Sequence, residues 1–183
     1  SGPPLKLNVD PNATPVAVHT PAPVPIHWQK EVKAQLDRDV QLGVIEPVPW
    51  GQSTVWCSRM VTVAKTDGSP RRTVDLQELN DASVRQTHHT PSPFHQAMSV
   101  PHNTKKTVLD AWNGYHSLSI REEDRHLTTF ITPWGRYQYC CATQGFLASG
   151  DAYTRRFDEI IAHLDKNTKC IDDTLLWSEN INT

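Results

Sequence analysis

The chain has 183 residues, 37% of them hydrophobic and 21% charged, with a formal net charge of −2. That length allows one sizeable core or two small lobes sharing a core. No apolar run approaches the ~20 residues that cross a bilayer, and no N-terminal segment has the pattern of a signal peptide, so no membrane partner and an intracellular location are expected. The near-neutral balance excludes a uniformly cationic nucleic-acid face, so any phosphate-binding charge must be focused locally or supplied by other segments.

Residues 1–25 are rich in proline (Pro3, Pro4, Pro11, Pro15, Pro21, Pro23, Pro25). Fixed φ and missing amide donors predict an extended arm rather than a packed element, with docking on the body as a strand left open. Order is expected from Ile26. Trp28, Val32, Leu36 and Val40 recur at helical spacing between charged residues, and Gly43 is placed to stop the helix. Val55 to Lys65 and Arg71 to Leu76 are β-favouring and flank Thr66-Asp67-Gly68-Ser69-Pro70, a tight loop. The result is a hairpin with Lys65, Arg71 and Arg72 at its mouth.

A proline-punctuated loop is expected from His88 to Phe94, then a short strand from Lys106 ending in the carboxylate of Asp110. Glu122-Glu123-Asp124-Arg125 is expected to be a charged turn before strands Leu127 to Thr132 and Arg136 to Cys141. Asp151 is placed to cap a helix whose apolar face carries Tyr153, Phe157, Ile160, Ile161 and Leu164. Two short apolar strands, Lys169 to Ile171 and Thr174 to Trp177, flank Asp172-Asp173. The fold class is α+β with a mostly antiparallel sheet, a split βαβ arrangement being one form of it. Cys57, Cys140, Cys141 and Cys170 show no CxxC pairing, and adjacent Cys140 and Cys141 would face opposite ways on a strand, so free thiols are expected.

The sharpest chemical feature is Cys170-Ile171-Asp172-Asp173-Thr174. Adjacent carboxylates between apolar strands raise each other's pKa unless a cation intervenes, and magnesium is a hard ion that takes carboxylate oxygens. The plainer alternative is a solvated Asp-Asp turn.

The motifs around that pair are colinear. Gly43-Val44-Ile45-Glu46-Pro47 follows the first helix. Lys65-Thr66-Asp67-Gly68 and Arg71 precede Val74-Asp75-Leu76-Gln77-Glu78-Leu79-Asn80. Asp110-Ala111-Trp112-Asn113-Gly114-Tyr115-His116, Thr128 to Tyr137 and Gln144-Gly145 follow in order. Together, from about Ile26 to Ser178, they resemble the reverse transcriptases of gypsy-type LTR retrotransposons, with retroviral enzymes as more distant relatives.

The resemblance implies a polymerase fold with an antiparallel palm sheet flanked by helices: fingers at 26–84 and 118–148, palm at 85–117 and 149–183, and no thumb. It implies that Asp110 meets Asp172 at adjoining strand ends to hold magnesium, or manganese, with Asp173 in a less direct role. Lys65 and either Arg71 or Arg72 would grip the triphosphate, Gln144 would touch the sugar, and Ala111 would line the nucleotide site. Tyr115 would be the steric gate that selects deoxynucleotides.

The implied partners are an RNA or DNA template with its primer, deoxynucleoside triphosphates, and the remaining Pol segments (thumb, connection and RNase H). The implied location is a cytoplasmic particle or the nucleus. The alternative is a catalytically silent, transposon-derived module that binds nucleic acid or protein. Four positions depart from the pattern: Pro70 for tryptophan, Gln77 for arginine, Gly150 for proline and Cys170 for tyrosine. Asn113, His116 and the His88-His89 pair are expected to be surface residues, and apolar palm surface is expected to be exposed near Leu175 and Trp177.

Overall fold

The computed structural model describes residues 2–84, 92–110, 114–170 and 173–179. Helix α1 (Ile26–Gln41) forms where the four-residue apolar spacing predicts it. Val32 and Leu36 are fully buried, Trp28 and Val40 pack against the same core, and Gly43 ends the helix at φ +69. That left-handed conformation is costly for any residue with a Cβ.

Beyond Gly43 the chain enters a five-stranded sheet built from β1 (Ile45–Pro47), β2 (Ser58–Ala64), β3 (Pro70–Asp75), β5 (Phe130–Thr132) and β6 (Gly135–Tyr139), in the order β1-β6-β5-β2-β3. All neighbours are antiparallel except β2 and β5, which run parallel. Phe130, completely buried, stacks on Tyr137 and packs at a tilt against Tyr139, with centroids 5.9 and 5.2 Å away. With Ile45, Met60 and Leu36 it forms the main core, each such side chain contributing about 1.5–3 kcal/mol by burial.

The second sheet is antiparallel and three-stranded: β4 (Lys105–Asp110), β7 (Asn167–Cys170) and β8 (Asp173–Ser178), in the order β4-β8-β7. Helix α4 (Leu147–Ile161) buries Tyr153 in a smaller core with Leu118 and Ala142. Short helices α2 (Gln77–Asp81) and α3 (Pro93–Met98) complete the regular elements, with 3₁₀ turns at Gly114–Ser117 and Glu122–Thr128.

Several expectations need correction. The arm is extended but also packed: Leu7 and Val24 are buried in the main core, with Leu5 and Val9 against it. Leu5, Leu7 and Val9 alternate, so one side of an extended segment is apolar. Its backbone bonds to the body from Leu5 N to Ser119 O (2.7 Å), Asp10 N to Ala82 O (2.8 Å) and Val18 N to Cys57 O (2.8 Å).

The strand expected from Leu127 begins only at Phe130, because Glu122–Thr128 coils into a 3₁₀ helix. Thr128 and Thr129 turn their hydroxyls back onto Arg125 O (2.7 Å) and His126 O (2.8 Å), the local bonding by which threonine competes with a strand ladder. Leu175 and Trp177 are half-buried; the exposed apolar side chains of this region are Val108 and Leu109 on edge strand β4. Cys57, Cys140 and Cys141 are free thiols, and burial, with Glu46 nearby, pushes Cys140 up to about 11, so it is protonated and inert. No helix among the described residues is long and apolar enough to cross a membrane.

Candidate functional site

Strand β4 ends at Asp110 and β8 begins at Asp173, and the antiparallel register sets these residues opposite each other. Directly opposed residues share a face, so two exposed carboxylates stand side by side. No cation among the described residues pairs with either. Like charges so placed cost roughly 0.2–1 kcal/mol, a repulsion that a bound divalent cation removes. Accessible oxygen donors of this kind fit magnesium. Among the described residues no trio of His, Cys, Asp or Glu converges; the third carboxylate of the expected set, Asp172, lies outside them, as do Ala111, Asn113 and the His88-His89 pair.

The ground beneath this sheet is specific. Lys169 on β7 has a side chain only 5% exposed, with Nζ 2.8 Å from Asp158 Oδ1, 2.6 Å from Thr154 O and 5.1 Å from the Phe157 ring centroid. A buried ammonium thus ties strand β7, the partner of β8, to helix α4. On the same helix Phe157 stacks on Tyr153 (5.6 Å), and Tyr153 in turn packs against Tyr115 (5.3 Å).

Gly114 is fixed by that packing, since a Cβ there would lie 2.7 Å from the Tyr153 ring. Gly114→Ala is therefore expected to lower stability by about 1–3 kcal/mol, measured by urea denaturation, and to cost less when made in a Tyr153→Ala background. Gly150, the departure from proline, faces the other ring of the pair: a Cβ there would come 3.9 Å from Tyr115 Oη.

A cavity of about 530 Å³ opens between α1, the β2–β3 hairpin and the segment after β6. It gathers Lys65, Arg71, Arg72 and Gln144 from far-apart stretches of sequence; Tyr115 is not among its lining residues. The hairpin tip is held by local bonds. Lys65 O accepts from Gly68 N (3.0 Å), Gly68 takes φ +81, and Asp67 Oδ1 accepts from Ser69 N (2.9 Å) and Ser69 Oγ (2.7 Å). Those bonds from Ser69 hold the Asp67 carboxyl below its ordinary pKa.

The two arginines differ. Arg72 is half-buried and ion-paired with Asp39 of α1, whereas Arg71 is exposed and has no ion-pair partner among the described residues. Four basic side chains (Arg38, Lys65, Arg71, Arg72) against one acid (Asp39) make this cavity cationic inside a chain of net charge −2. The positive charge is focused locally.

Three residues gain roles that their motifs did not reveal. Asn80 donates from Nδ2 to Gly145 O and accepts from Leu147 N, both at 2.7 Å, so it caps α4 from across the fold. Asp151, expected at that cap, lies inside the helix. Glu46 accepts from Gln138 Nε2 (2.7 Å) and pairs with Arg125 (3.2 Å). Burial alone would raise its pKa, but the bonds from Gln138 and Cys140 and the charge of Arg125 hold it below the ordinary value. His116 is no surface residue: it is half-buried and lines the cationic cavity. Only its place in the Gly114-Tyr115-His116 motif could have drawn attention to it.

The comparisons with known proteins agree with this geometry. Residues 63–183 match the family described as "Reverse transcriptase (RNA-dependent DNA polymerase)". The chain is 27% identical over 165 residues to the retrovirus-related Pol polyprotein from transposon opus of Drosophila melanogaster, covering 88% of this chain and 16% of that one. To the Pol polyprotein from transposon gypsy of the same organism it is 27% identical over 155 residues, covering 82% and 14%. The chain therefore spans only 14–16% of the length of these relatives.

In fold it is similar to the prototype foamy virus protease-reverse transcriptase, with TM-score 0.82 at 21% identity over 96% of this chain and 23% of that one. A foamy viral protease-reverse transcriptase solved in complex with RNA/DNA hybrid gives 0.84 at 17% identity over 98% and 24%. The opposed aspartates, the cationic cavity and the family match over most of the chain lead to one assignment: the chain belongs to the reverse transcriptase (RNA-dependent DNA polymerase) family, as a domain of the gypsy-type retrotransposon kind.

Proposed function

We propose that this domain adds deoxynucleotides to a primer 3′-hydroxyl along an RNA or DNA template, releasing pyrophosphate. The observation that carries the reading is the cavity that unites Lys65, Arg71 and Gln144 in a fold whose second sheet ends in opposed carboxylates. The five-stranded sheet draws all its strands from 26–84 and 118–148, and the three-stranded sheet draws its strands from 85–117 and 149–183. This supports assigning the first pair of segments to fingers and the second to palm.

The roles follow from residue chemistry. Asp110, Asp172 and Asp173 would hold magnesium or manganese, which when bound supplies charge neutralisation at the attacked phosphate and a more acidic primer hydroxyl. Lys65 presents a point charge and Arg71 a planar fork to the triphosphate. Arg71 is the better candidate of the two arginines because Asp39 already occupies Arg72. Tyr115, backed by Tyr153 and Phe157, would exclude a 2′-hydroxyl by volume. Gln144 would meet the sugar, and Ala111 would belong to the same nucleotide site.

Nucleic acid is the expected partner, as in the foamy viral complex with RNA/DNA hybrid. The template-primer duplex would be held with the help of the thumb, connection and RNase H segments of a longer Pol chain, because proximity contributes only when primer and nucleotide are held in line.

Primer extension tests the reading. Residues 1–183 alone are expected to extend a primer poorly. A longer Pol chain containing them should extend it in a magnesium-dependent way, and Asp172→Asn should silence it. Tyr115→Ala in that longer chain should mainly admit ribonucleotides. A folded longer chain that is silent with magnesium would point instead to a binding module.

A further inference from the structure

We propose that His116 is a nucleotide-contacting residue whose imidazole takes up a proton as the triphosphate enters the cationic cavity. This inference rests on the reading of that cavity as the nucleotide site. His116 is held in place by the 3₁₀ turn Gly114–Ser117, in which Ser117 Oγ bonds Gly114 O (2.6 Å) and Leu118 N bonds Tyr115 O (3.0 Å). Leu118, only 1% exposed, anchors the turn in the smaller core. The imidazole is thus a fixed part of the cavity wall.

The groups facing it are known on each side. From α1 comes Asp39, from β3 Arg72, and from β6 the buried Tyr139, while α4 presents Tyr153 to the turn itself. Asp39 and Arg72 are paired with each other, so their charges largely cancel at His116. Burial, and then the positive charge of Arg72, holds the imidazole below the ordinary histidine value of 6.5, against the opposing pull of Asp39. The empty cavity therefore keeps His116 neutral near neutral pH.

A polyanion in the cavity reverses the balance, because an opposite charge nearby favours the protonated form. The free-state pKa lies below 6.5, and the bound-state pKa lies above the free-state one. Linkage then makes nucleotide binding tighten as pH falls through the bound-state pKa, and the gain stops once pH passes below the free-state pKa. The nucleotide's own γ-phosphate acts in the opposite sense, losing charge as pH falls.

Calorimetric titration of this chain with dATP tests it, at about pH 7.5 and about pH 6.0, in two buffers of different ionisation enthalpy. The wild-type affinity is expected to gain roughly fivefold at the lower pH relative to His116→Gln. Binding to the wild type should take up more protons than binding to His116→Gln, the difference removing the nucleotide's own proton release. An identical pH response, or identical net proton exchange, in wild type and His116→Gln overturns the inference while leaving the cavity a nucleotide site. No dATP binding at either pH overturns both.

Discussion

Asp110→Asn is expected to abolish primer extension by a longer chain containing this domain, while leaving its fold as stable as before or slightly more so. The catalytic loss follows from charge. An amide cannot hold a divalent cation as a carboxylate does, and the several kcal/mol of transition-state stabilisation that a metal supplies are forfeited. About 4 kcal/mol corresponds to roughly a thousandfold in rate.

The stability effect runs the other way. Asp110 opposes Asp173 directly in the β4–β8 register, and without metal that repulsion costs roughly 0.2–1 kcal/mol. Neutralising one partner relieves it. Steady-state extension kinetics beside urea denaturation, without added metal, check both halves. A variant that loses stability and activity together would assign Asp110 to the scaffold.

The second large effect is expected at Asp158, on the far side of the same sheet. Lys169 is the buried partner of this ion pair and Asp158 the half-exposed one, at 5% and 44% side-chain exposure. Asp158→Ala leaves an ammonium in the interior against Thr154 O and the Phe157 ring. Stranding a buried charge is expected to cost on the order of 3 kcal/mol. In a domain of this size that is a fall in Tm of about 6–12 °C.

Lys169→Met should cost much less, because the methionine fills the same space and the aspartate left behind is solvated. The asymmetry is the test: thermal melts in which Lys169→Met loses as much as Asp158→Ala would show that contacts, not charge, hold β7 to α4.

Much of this was legible because it is local. The period of Trp28, Val32, Leu36 and Val40 is visible in sequence, and α1 occupies that segment and buries that face. Asp67-Gly68 between two β-favouring runs specifies its own turn, and the β2–β3 hairpin closes on it. The strand leading to Asp110 was likewise visible in its composition.

What escaped is non-local. The cap of α4 comes from Asn80, 67 residues before the amide it satisfies, and no local rule finds it; Asp151, with the right chemistry nearby, is a plausible wrong answer. The docking of Leu5, Leu7 and Val9 was masked by the prolines around them, since alternation over so short a stretch says nothing of what it packs against. His116 became visible only when α1, β3 and the turn at Gly114 enclosed it together.

The parallel pairing of β2 with β5 also shapes how the chain reaches this state. Ser58 and Arg59 meet Phe130 and Ile131, partners that emerge from the ribosome only after the whole intervening segment has been made. The β2–β3 hairpin can zip at once, but the inner edge of β2 stays open during that interval. Strand β4 waits even longer, because its partner β8 follows all of α4. Closure of both sheets therefore depends on distant loop closure, which slows folding and prolongs the exposure of unpaired edges. The soluble yield of this domain should therefore rise when translation is slowed by growth at low temperature.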